Sequence, residues 1–315
     1  MQDADEHEQQ LLSRAAWLYF HEDLTQAEIG ERLGVTRLKV NRLLQMGRES
    51  GLISVSINTP FRECVDLEGR LVRRFGLIRA IVAPTPEHGG ERLYEAIGRP
   101  AGEYVSRALR DGQSLGVGWG RTMREAINGI AVRAYRDISI SSLYGGVPRS
   151  PVNPFDSTAM FARRFQARTC NHLAAPMFVS SPQVRDTIAG QDLFRTFYEE
   201  ALQVDMILTA SGDLTSQATN LALGVITPDQ RASLARAGAV GEFFGRFLDD
   251  KGDPVDHPLN ACSMSPDFTG LLRAPHIVLV SGGLAKLNIL HAILGRGYVH
   301  VFVTDAETAQ NLLNR

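Results

Sequence analysis

The residues with the clearest potential for ligand chemistry follow an apolar segment near residue 115. The stretch SLGVGWGRT leaves a predicted strand and enters a helix that we expect to begin near Met123. Backbone N–H groups at a helix start, together with arginine and threonine side chains, bind phosphate or sugar hydroxyl groups. We therefore interpret five residues as a ligand-binding loop: Gly118, Trp119, Gly120, Arg121 and Thr122.

Two other interpretations of this loop compete with that one. A dinucleotide-binding G-x-G-x-x-G motif would need glycine at position 121, where arginine stands, and no acidic residue closes the following strand. A structural turn without a ligand stays open as well, because glycine is the default residue of tight strand-to-helix turns.

Two further predicted strands end in paired glycines. SLYGGV contains Gly145 and Gly146, and VSGGLAK contains Gly282 and Gly283, with Lys286 in the first turn of the next helix. A lysine there opposes the helix dipole, and a bound anion or a neighbouring carboxylate would offset this. A solvated lysine is the alternative.

Two carboxylates also lie close to predicted strand ends. Asp213 follows an apolar strand in TASGDL, and Glu242 follows glycine in AVGEFFGRF. Each could accept hydrogen bonds from sugar hydroxyl groups. Each could equally cap a helix or lie on the surface.

A second polar set lies near the N-terminus. Residues 34–48 contain four cationic side chains and no acidic one, whereas residues 1–58 as a whole carry more acid than base. A helix with such a face can meet phosphates and base edges, where arginine reads guanine and asparagine reads adenine. The alternative is a solvated helix face in an ordinary bundle. The residues that we expect to contact DNA are Thr25, Gln26, Thr36, Arg37, Lys39, Asn41 and Arg42.

The sequence gives little support for catalysis or metal binding. Five histidines are scattered through the C-terminal part of the sequence, namely His172, His257, His276, His291 and His300. None of them forms a pair with a carboxylate at a spacing that suggests acid–base chemistry. The cysteines are far apart, which fits free thiols in a reducing cytosol: Cys64, Cys170 and Cys262. We expect no catalytic residue, no metal site and no cofactor.

Local signals predict the elements that carry the basic residues. Thr25 and Glu28 form a capping box, Gly34 supplies the positive φ that ends a helix, and Thr36 can cap the next helix. The predicted helices cover about residues 8–20, residues 26–33, and a third segment after Thr36. This order is the helix-turn-helix plan. The following LISVSI predicts a short strand, and NTPFRECVD predicts a linker.

From about Val65 onward, helical and strand patterns alternate. The alternation predicts a doubly wound, mostly parallel sheet with ligand-binding loops at the C-terminal ends of its strands. After the helix VDLEGRLVRRFGL, the predicted strands are IRAIVAP, QSLGVGW, ISISSLYGG, VDMILTASG, HIVLVSGG and YVHVFVTD.

Length and composition limit the number of domains, the kind of nucleic-acid contact and the cellular location. A length of 315 residues favours two domains, and a net charge of −2 requires any nucleic-acid contact to be local. The N-terminus MQDADEHEQQ is too acidic for a signal peptide, and no apolar run reaches about 18 residues. We therefore expect a cytoplasmic protein.

Taken together, these motifs resemble those of the SorC-type sugar-binding transcriptional regulators of bacteria. The N-terminal AAWLYFHEDLTQAEIGERLGVTRLKVNRLLQMGRESGLISVSI is similar to the family's DNA-binding segment. The effector-domain signatures occur in the family's order as GVGWGRT, YGGV, AVGEFFGRFLDDKG, VSGGLAKLNILHAIL and VFVTDAETAQNLL.

The resemblance implies an N-terminal helix-turn-helix (winged-helix-like) domain and an α/β effector domain resembling sugar-phosphate isomerases and deaminases. It also implies a homo-oligomer, typically a tetramer, that binds operator DNA. Three positions depart from the family pattern, and one of them is Leu38, where a small polar residue is common. Glu242 stands where aspartate is usual, and Asp213 lies in a TASGDL loop that replaces a GIG-type loop. The matching effector positions are Gly118, Trp119, Gly120, Thr122, Gly145, Gly146 and Lys286.

The leading hypothesis is a DNA-binding regulator of carbohydrate or polyol catabolic genes that is not an enzyme. Its operator affinity would respond to a sugar, polyol or sugar phosphate. We assign residues 1–58 to DNA binding, 59–66 to a linker and 67–315 to effector binding and oligomerisation. The alternative is a sugar-phosphate isomerase- or deaminase-like enzyme with an N-terminal association module, in which Lys286 forms an imine or stabilises an enediolate. The phosphorylation state of the effector and the direction of regulation stay open.

Overall fold

The structure of the protein, a computed structural model, describes residues 2–53, 61–87, 89–131, 135–147 and 154–315, and the side chains of residues 2–6 and 154–156 lie outside that description. The chain separates into two units, Met1–Pro60 and Phe61–Arg315.

The N-terminal unit contains three helices around a small apolar core. They are α1 (Gln2–Phe20), α2 (Gln26–Leu33) and α3 (Arg37–Glu49). The predicted bounds of α2 are confirmed, and α1 begins six residues before the predicted start at residue 8. Apolar residues at helical spacing meet in the core, where the buried side chains include Ala15, Leu18, Ile29, Val40 and Leu44.

The turn between α2 and α3 follows from local interactions. Thr25 and Glu28 form the predicted capping box, and Gly34 ends α2 at φ 67°. The Thr36 hydroxyl accepts a hydrogen bond from the Lys39 N–H at 3.2 Å. A Cβ at Gly30 would lie 2.7 Å from the carbonyl oxygen of Val35, so the chain turns tightly against α2. The helix–turn–helix geometry therefore agrees with the prediction.

Two local predictions after α3 need correction. Leu52 and Ile53 lie in a turn and not in a strand, and the remainder of that predicted strand, residues 54–57, lies outside the described residues. Residues 62–66 of the predicted linker are helical, because α4 (Arg62–Phe75) begins at Arg62. Cys64 already belongs to the buried stripe of this helix, which accounts for its earlier start.

The C-terminal unit contains the predicted parallel sheet. Seven strands of the described chain pair in parallel in the order β1-β10-β9-β5-β2-β3-β4. Their bounds are β1 (Arg79–Ala83), β2 (Ser114–Val117), β3 (Ser139–Ser142), β4 (Thr169–Asn171), β5 (Met206–Thr209), β9 (Ile277–Val280) and β10 (Val301–Asp305). The six predicted strands are present, and β4 is an edge strand that the sequence pattern did not indicate.

Helices cover both faces of the sheet, as expected for a doubly wound fold. Consecutive residues of one strand pack into the hydrophobic cores on opposite faces of the sheet, because successive side chains point to opposite faces. Ile207 belongs to the buried cluster that contains Leu67 and Leu71 of α4, whereas Leu208 belongs to the cluster on the other face that contains Ile97 and Met123. The remaining helices are α5 (Glu91–Ala108), α6 (Arg121–Gly129), α7 (Pro154–Phe165), α8 (Pro182–Ala189), α9 (Asp192–Ala201), α10 (Thr219–Ala222), α11 (Pro228–Arg236), α12 (Pro258–Ala261), α13 (Phe268–Leu271), α14 (Leu287–Gly295) and α15 (Ala306–Leu313).

A small antiparallel sheet, which the sequence pattern did not indicate, lies beside the parallel one. It consists of β6 (Gly212–Asp213), β7 (Gly241–Phe243) and β8 (Arg246–Leu248). Gly212 pairs with Glu242, and Asp213 pairs with Gly241. This pairing brings the two carboxylate-bearing segments together although they are far apart in sequence.

Within the described residues, no helix has the length and apolar character needed to cross a membrane.

Replacing Gly102 by alanine is expected to destabilise the C-terminal unit by about 1–3 kcal/mol, because a Cβ there would overlap the carbonyl oxygen of Ala126 on α6. Urea denaturation measures the change. Gly69→Ala in α4 is the matched control, since its Cβ would meet only the Arg73 side chain at 3.4 Å. Higher helix propensity should make that variant at least as stable as the original chain. Equal stability of the two variants would contradict close α5–α6 packing.

Candidate functional site

A cavity of about 340 Å³ lies at the C-terminal ends of β2 and β5. These strands are neighbours, and the chain leaves them toward opposite edges of the sheet. After β2 it adds β3 and β4 on one side, and after β5 it adds β9 and β10 on the other. The strand order therefore reverses at the β2–β5 pair, which is where open α/β sheets bind their ligands.

Arg121 is a cation held in place at this cavity. Its guanidinium donates to the Thr219 hydroxyl at 3.2 Å and lies 3.5 Å from a Glu91 carboxylate oxygen. The same group lies 4.5 Å from the centroid of the Tyr94 ring. Three different contacts thus fix a side chain that would otherwise sample many rotamers, and they leave a charged fork positioned for an anion.

Two helices begin at the cavity with glycine as their N-cap. Gly90 precedes α5 and Gly120 precedes α6, and neither start has a side-chain cap. First-turn N–H groups at these starts are therefore available to a ligand, apart from the Leu93 N–H, which donates to the carbonyl oxygen of Gly90. Gly120 has φ 113°, a conformation that side-chain-bearing residues rarely adopt, which explains glycine at this position.

Glu242 is a buried carboxyl group with a specific set of partners. It accepts a hydrogen bond from the Gly245 N–H at 2.5 Å and is hydrogen-bonded to the side chains of Tyr144 and Asn220. Burial raises the pKa of Glu242 to about 7, although these hydrogen bonds and the charge of Lys286 act to lower it. The protonated form of this group therefore persists to higher pH than that of an exposed glutamate.

Lys286 brings a second cation to the cavity. It lies at the end of a 3-10 turn, Leu284–Lys286, and is partly buried. Burial lowers the pKa of Lys286, the charge of Arg121 lowers it further, and the charges of Asp213 and Glu242 oppose the change. Two cationic and two acidic side chains therefore line one cavity.

Asp213 has part of its hydrogen-bonding capacity committed to its own loop. Its Oδ1 atom accepts from the Thr215 N–H at 2.9 Å and from the Thr215 hydroxyl at 2.6 Å. These bonds fix the carboxylate at the cavity wall. It is consequently positioned to accept hydrogen bonds from a ligand through its remaining lone pairs.

Seven of the ten predicted effector-binding residues line the cavity together, namely Trp119, Gly120, Arg121, Thr122, Asp213, Glu242 and Lys286. The other three glycines do not line it, and two of them have a packing reason. A Cβ at Gly118 would lie 2.9 Å from the Thr209 hydroxyl oxygen, and a Cβ at Gly145 would overlap backbone of Ala175 and Pro176. Gly146 forms a bridge with Pro176.

Several polar residues of the cavity were missed by the sequence analysis. Tyr144 stands directly before Gly145 and Gly146 in the sequence. Its position next to these predicted loop glycines could have indicated that its side chain lines the cavity. The polar run TSQATN after β6 offered another signal, because it contains four polar lining residues close together. The missed polar residues are Tyr94, Tyr144, Ser211, Thr215, Gln217, Thr219 and Asn220.

The predicted DNA-binding residues occupy the starts of α2 and α3. Thr25, Gln26 and Arg37 line one surface depression of the N-terminal unit. Asn41 and Arg42 are exposed on α3, while Val40 and Leu44 face the core. The structure thus places five of the predicted residues at the surface, in or near the first turns of the two helices.

The other two predicted DNA-binding residues also stabilise the unit itself. Thr36 caps α3, as described above. The Lys39 ammonium forms an ion pair with Glu8 on α1, and its hydrogen bond to that carboxylate lowers the pKa of Glu8. Lys39 is therefore shared between the fold and any external phosphate.

No histidine of the described chain lines the cavity, and no cluster of three metal-ligating side chains occurs within the same residues. His257 caps α12 and His276 is hydrogen-bonded to the Tyr104 hydroxyl. Both histidines therefore have structural partners.

A helix-turn-helix unit joined in one chain to an α/β unit with a polar switch-point cavity defines the class of ligand-responsive DNA-binding regulators. Comparison with known proteins gives the family. The family model Sugar-bind, described as "Putative sugar-binding domain", matches residues 59–314. The chain belongs to this family and is a SorC-type sugar-binding transcriptional regulator.

Relatives and solved structures match over nearly the full length. The Deoxyribonucleoside regulator of Bacillus subtilis is 28% identical, over 98% of this chain and 99% of that protein. The Transcriptional regulator LsrR of Klebsiella pneumoniae is 32% identical, over 97% of this chain and 93% of that protein. The full-length Sorbitol Operon Regulator SorC from Klebsiella pneumoniae has a TM-score of 0.75 at 27% identity, covering 96% of this chain and 98% of that chain.

Proposed function

We propose that the protein regulates carbohydrate or polyol catabolic genes by binding operator DNA with an affinity that a sugar, polyol or sugar phosphate modulates. The observation that carries the proposal is the cavity where Arg121, Lys286, Asp213 and Glu242 converge at the sheet's switch point. It belongs to a chain whose N-terminal unit presents exposed arginines on a helix-turn-helix. The proposed protein is cytoplasmic, not an enzyme, and acts as a homo-oligomer, typically a tetramer.

In the proposed DNA complex, the start of α3 enters the major groove. Arg37, Asn41 and Arg42 contact base edges or phosphates, and Thr25, Gln26 and Thr36 contact phosphates near the helix starts. Lys39 contributes where its ion pair with Glu8 allows. A single recognition helix per chain reads one half-site, so a two-fold operator requires at least two copies.

In the proposed effector complex, the charges of the lining residues determine where the phosphate and the hydroxyl groups of the ligand bind. A phosphate would lie near Arg121, the α6 start and Lys286, where donors and positive charge converge. Hydroxyl groups would hydrogen-bond with Asp213, Glu242 and Asn220, whose side chains line the same cavity. A neutral polyol would use the hydroxyl partners alone.

Operator binding and effector identity can be tested together. Fluorescence anisotropy measures binding to DNA from upstream of the protein's own operon, with and without pentoses, deoxypentoses, hexoses, hexitols and their phosphates. The names of the relatives, which cite deoxyribonucleosides and sorbitol, motivate this panel. A specific complex that one compound shifts is the expected result. Absence of specific binding under all conditions would overturn the proposal.

Thermal shift of each polyol against its phosphate separates the two effector classes. Only compounds that bind the folded state raise the melting temperature. A phosphate-selective response would assign Arg121 and Lys286 to the phosphate, and an equal response would assign the site to hydroxyl groups.

Arg121→Ala is expected to weaken binding of a phosphorylated effector about tenfold to a hundredfold, because a charge-assisted hydrogen bond contributes about 1.5–3 kcal/mol. Trp119 lines the cavity, and the chain has two tryptophans. A Trp17→Phe background therefore leaves Trp119 as the fluorescence reporter.

The matched control is Arg124→Ala, one turn further along α6. Arg124 contacts Glu91 and Glu125 and does not line the cavity. It should bind the same compound with unchanged affinity, and both variants should bind DNA as the original chain does. Equal weakening in the two variants would show a general charge effect and contradict a specific Arg121 contact.

A further inference from the structure

The loop that carries Lys286 is held by a buried hydrogen-bond network. The Gly283 N–H donates to the Thr308 hydroxyl at 2.7 Å and to Oδ2 of Asp305 at 3.3 Å. The Thr308 hydroxyl donates in turn to Oδ2 of Asp305 at 2.5 Å. Asp305 and Thr308 are fully buried, so water does not compete for these bonds.

The same carboxylate joins the ends of three neighbouring strands. Asp305 is the last residue of β10, Gly283 follows β9, and Thr85 follows β1. The Thr85 hydroxyl donates to Oδ1 of Asp305 at 2.9 Å, and the Thr308 N–H donates to Oδ1 at 3.0 Å. A buried carboxylate that accepts four hydrogen bonds from separate segments fixes their relative positions.

The backbone conformation of Gly283 sets the start of the turn that carries Lys286. Gly283 has φ 97° and ψ 142° and forms the N-cap of the turn Leu284–Lys286. The Lys286 N–H donates to the carbonyl oxygen of Gly283 at 3.0 Å. A Cβ at Gly282 would lie 2.5 Å from Oδ2 of Asp305, so the carboxylate also packs closely on the preceding residue.

We propose that Asp305 is a positioning residue of the effector site: with Thr308, it holds the Gly283 turn in the conformation that carries Lys286 into the cavity. The motif VFVTDAETAQNLL thus serves the cavity through the neighbouring loop, although Asp305 and Thr308 do not line the cavity themselves. The inference rests on the proposed function only in treating Lys286 as an effector contact.

The chain's lysine content allows a test that needs neither effector nor DNA. The sequence contains three lysines, Lys39, Lys251 and Lys286. Reductive methylation with ¹³C-formaldehyde gives each a dimethylamine NMR signal in the full chain, and loss of a signal in Lys286→Arg assigns that residue. The Lys286 signal is expected to be separate from that of exposed Lys251, and its titration midpoint to lie below the usual range of lysine, because burial lowers the pKa of Lys286.

Two substitutions break the network in different ways. Asp305→Asn removes the carboxylate that accepts from Gly283 and Thr308, and Thr308→Val removes the hydroxyl while nearly conserving volume. In both variants the chemical shift of Lys286 is expected to move toward that of exposed Lys251 and the titration midpoint of Lys286 to rise, while the Lys39 and Lys251 signals stay in place. Thr308→Ser, which keeps the hydroxyl, should restore the original Lys286 signal.

Asp267→Asn is the matched control. Asp267 also caps a helix, accepting from the Gly270 N–H at 2.7 Å and the Thr269 hydroxyl at 2.6 Å, and it does not line the cavity. It should leave the Lys286 signal unchanged. If Asp305→Asn fails to fold, Thr308→Val decides. A folded Thr308→Val chain with the original Lys286 shift and titration would overturn the inference. Failure of the protein to bind DNA would not alter this readout.

Discussion

Replacing Arg37 and Arg42 together by alanine is expected to weaken operator binding by about 2–6 kcal/mol, which is roughly 30-fold or more in Kd. Each arginine that contacts a base contributes about 1–3 kcal/mol, and each that contacts a phosphate steepens the salt dependence. Both side chains are exposed on α3, away from the buried residues Val40 and Leu44. The variant should therefore fold as the original chain does.

Anisotropy titrations on the operator at several salt concentrations measure this effect. Each lost phosphate contact should make the slope of log K against log salt shallower by about 1. Arg32→Ala is the matched control, because Arg32 is an exposed cation of α2 that pairs with Glu22 at 2.6 Å. It removes charge from the same unit and should change the affinity little. An unchanged affinity and slope in the double variant would show that α3 is not the recognition helix.

Glu242→Gln is expected to raise the free energy of unfolding by about 3 kcal/mol above pH 7. The pKa of this carboxyl is about 7 in the folded chain, against 4.5 for the unperturbed group. Between these values the folded chain binds more protons than the unfolded chain. The original chain should therefore lose stability as pH rises from about 4.5 to about 7, and the loss should level off above that range.

Urea denaturation from pH 4 to pH 8 gives the two stability curves. The glutamine variant keeps an acceptor for the Gly245 N–H and a polar partner for Tyr144, so its curve should lack the fall that Glu242 causes. Glu91→Gln is the control, since Glu91 is exposed. It should follow the original chain throughout. Parallel curves for Glu242→Gln and the original chain would contradict a carboxyl group destabilised by burial.

Such a gain in the free energy of unfolding would indicate that Glu242 is present for ligand binding and not for stability. A buried carboxyl group that lowers stability at neutral pH is typical of a functional site, where stability is exchanged for ligand recognition. Effector binding by Glu242→Gln should accordingly weaken even though the variant is more stable. The contrast with Gly102, whose replacement changes stability through packing alone, separates a ligand-binding role from a structural one.

Strand and helix identities in the C-terminal unit were largely readable, because apolar periodicity reflects which side chains must be buried. The predicted strands correspond to six strands of the parallel sheet. The exceptions are short. β4 has three residues and exposed positions, so its pattern carries almost no hydrophobic signal. The small antiparallel sheet was missed because its strands have only two or three residues each, too few to show an alternating pattern.

The site residues divide in a similar way. Seven of the ten predicted effector residues line one cavity, because glycine-rich loops at strand ends converge wherever parallel strands are neighbours. Gly118 and Gly145 carried the same sequence signal but serve close packing. A glycine indicates that something approaches the backbone, and the sequence does not say whether this is a ligand or the protein itself.

The sequence by itself determined the features that depend on neighbours within a few positions. The bounds of α2, the capping box of Thr25 and Glu28, and the left-handed turn at Gly34 all arise from such contacts. Only the tertiary structure decided that Tyr144 and Asn220 both hydrogen-bond with Glu242 and that this carboxyl group is buried. It also decided that Asp305 holds the turn leading to Lys286. These relations join residues far apart in the chain, and burial, charge and hydrogen bonding act through space.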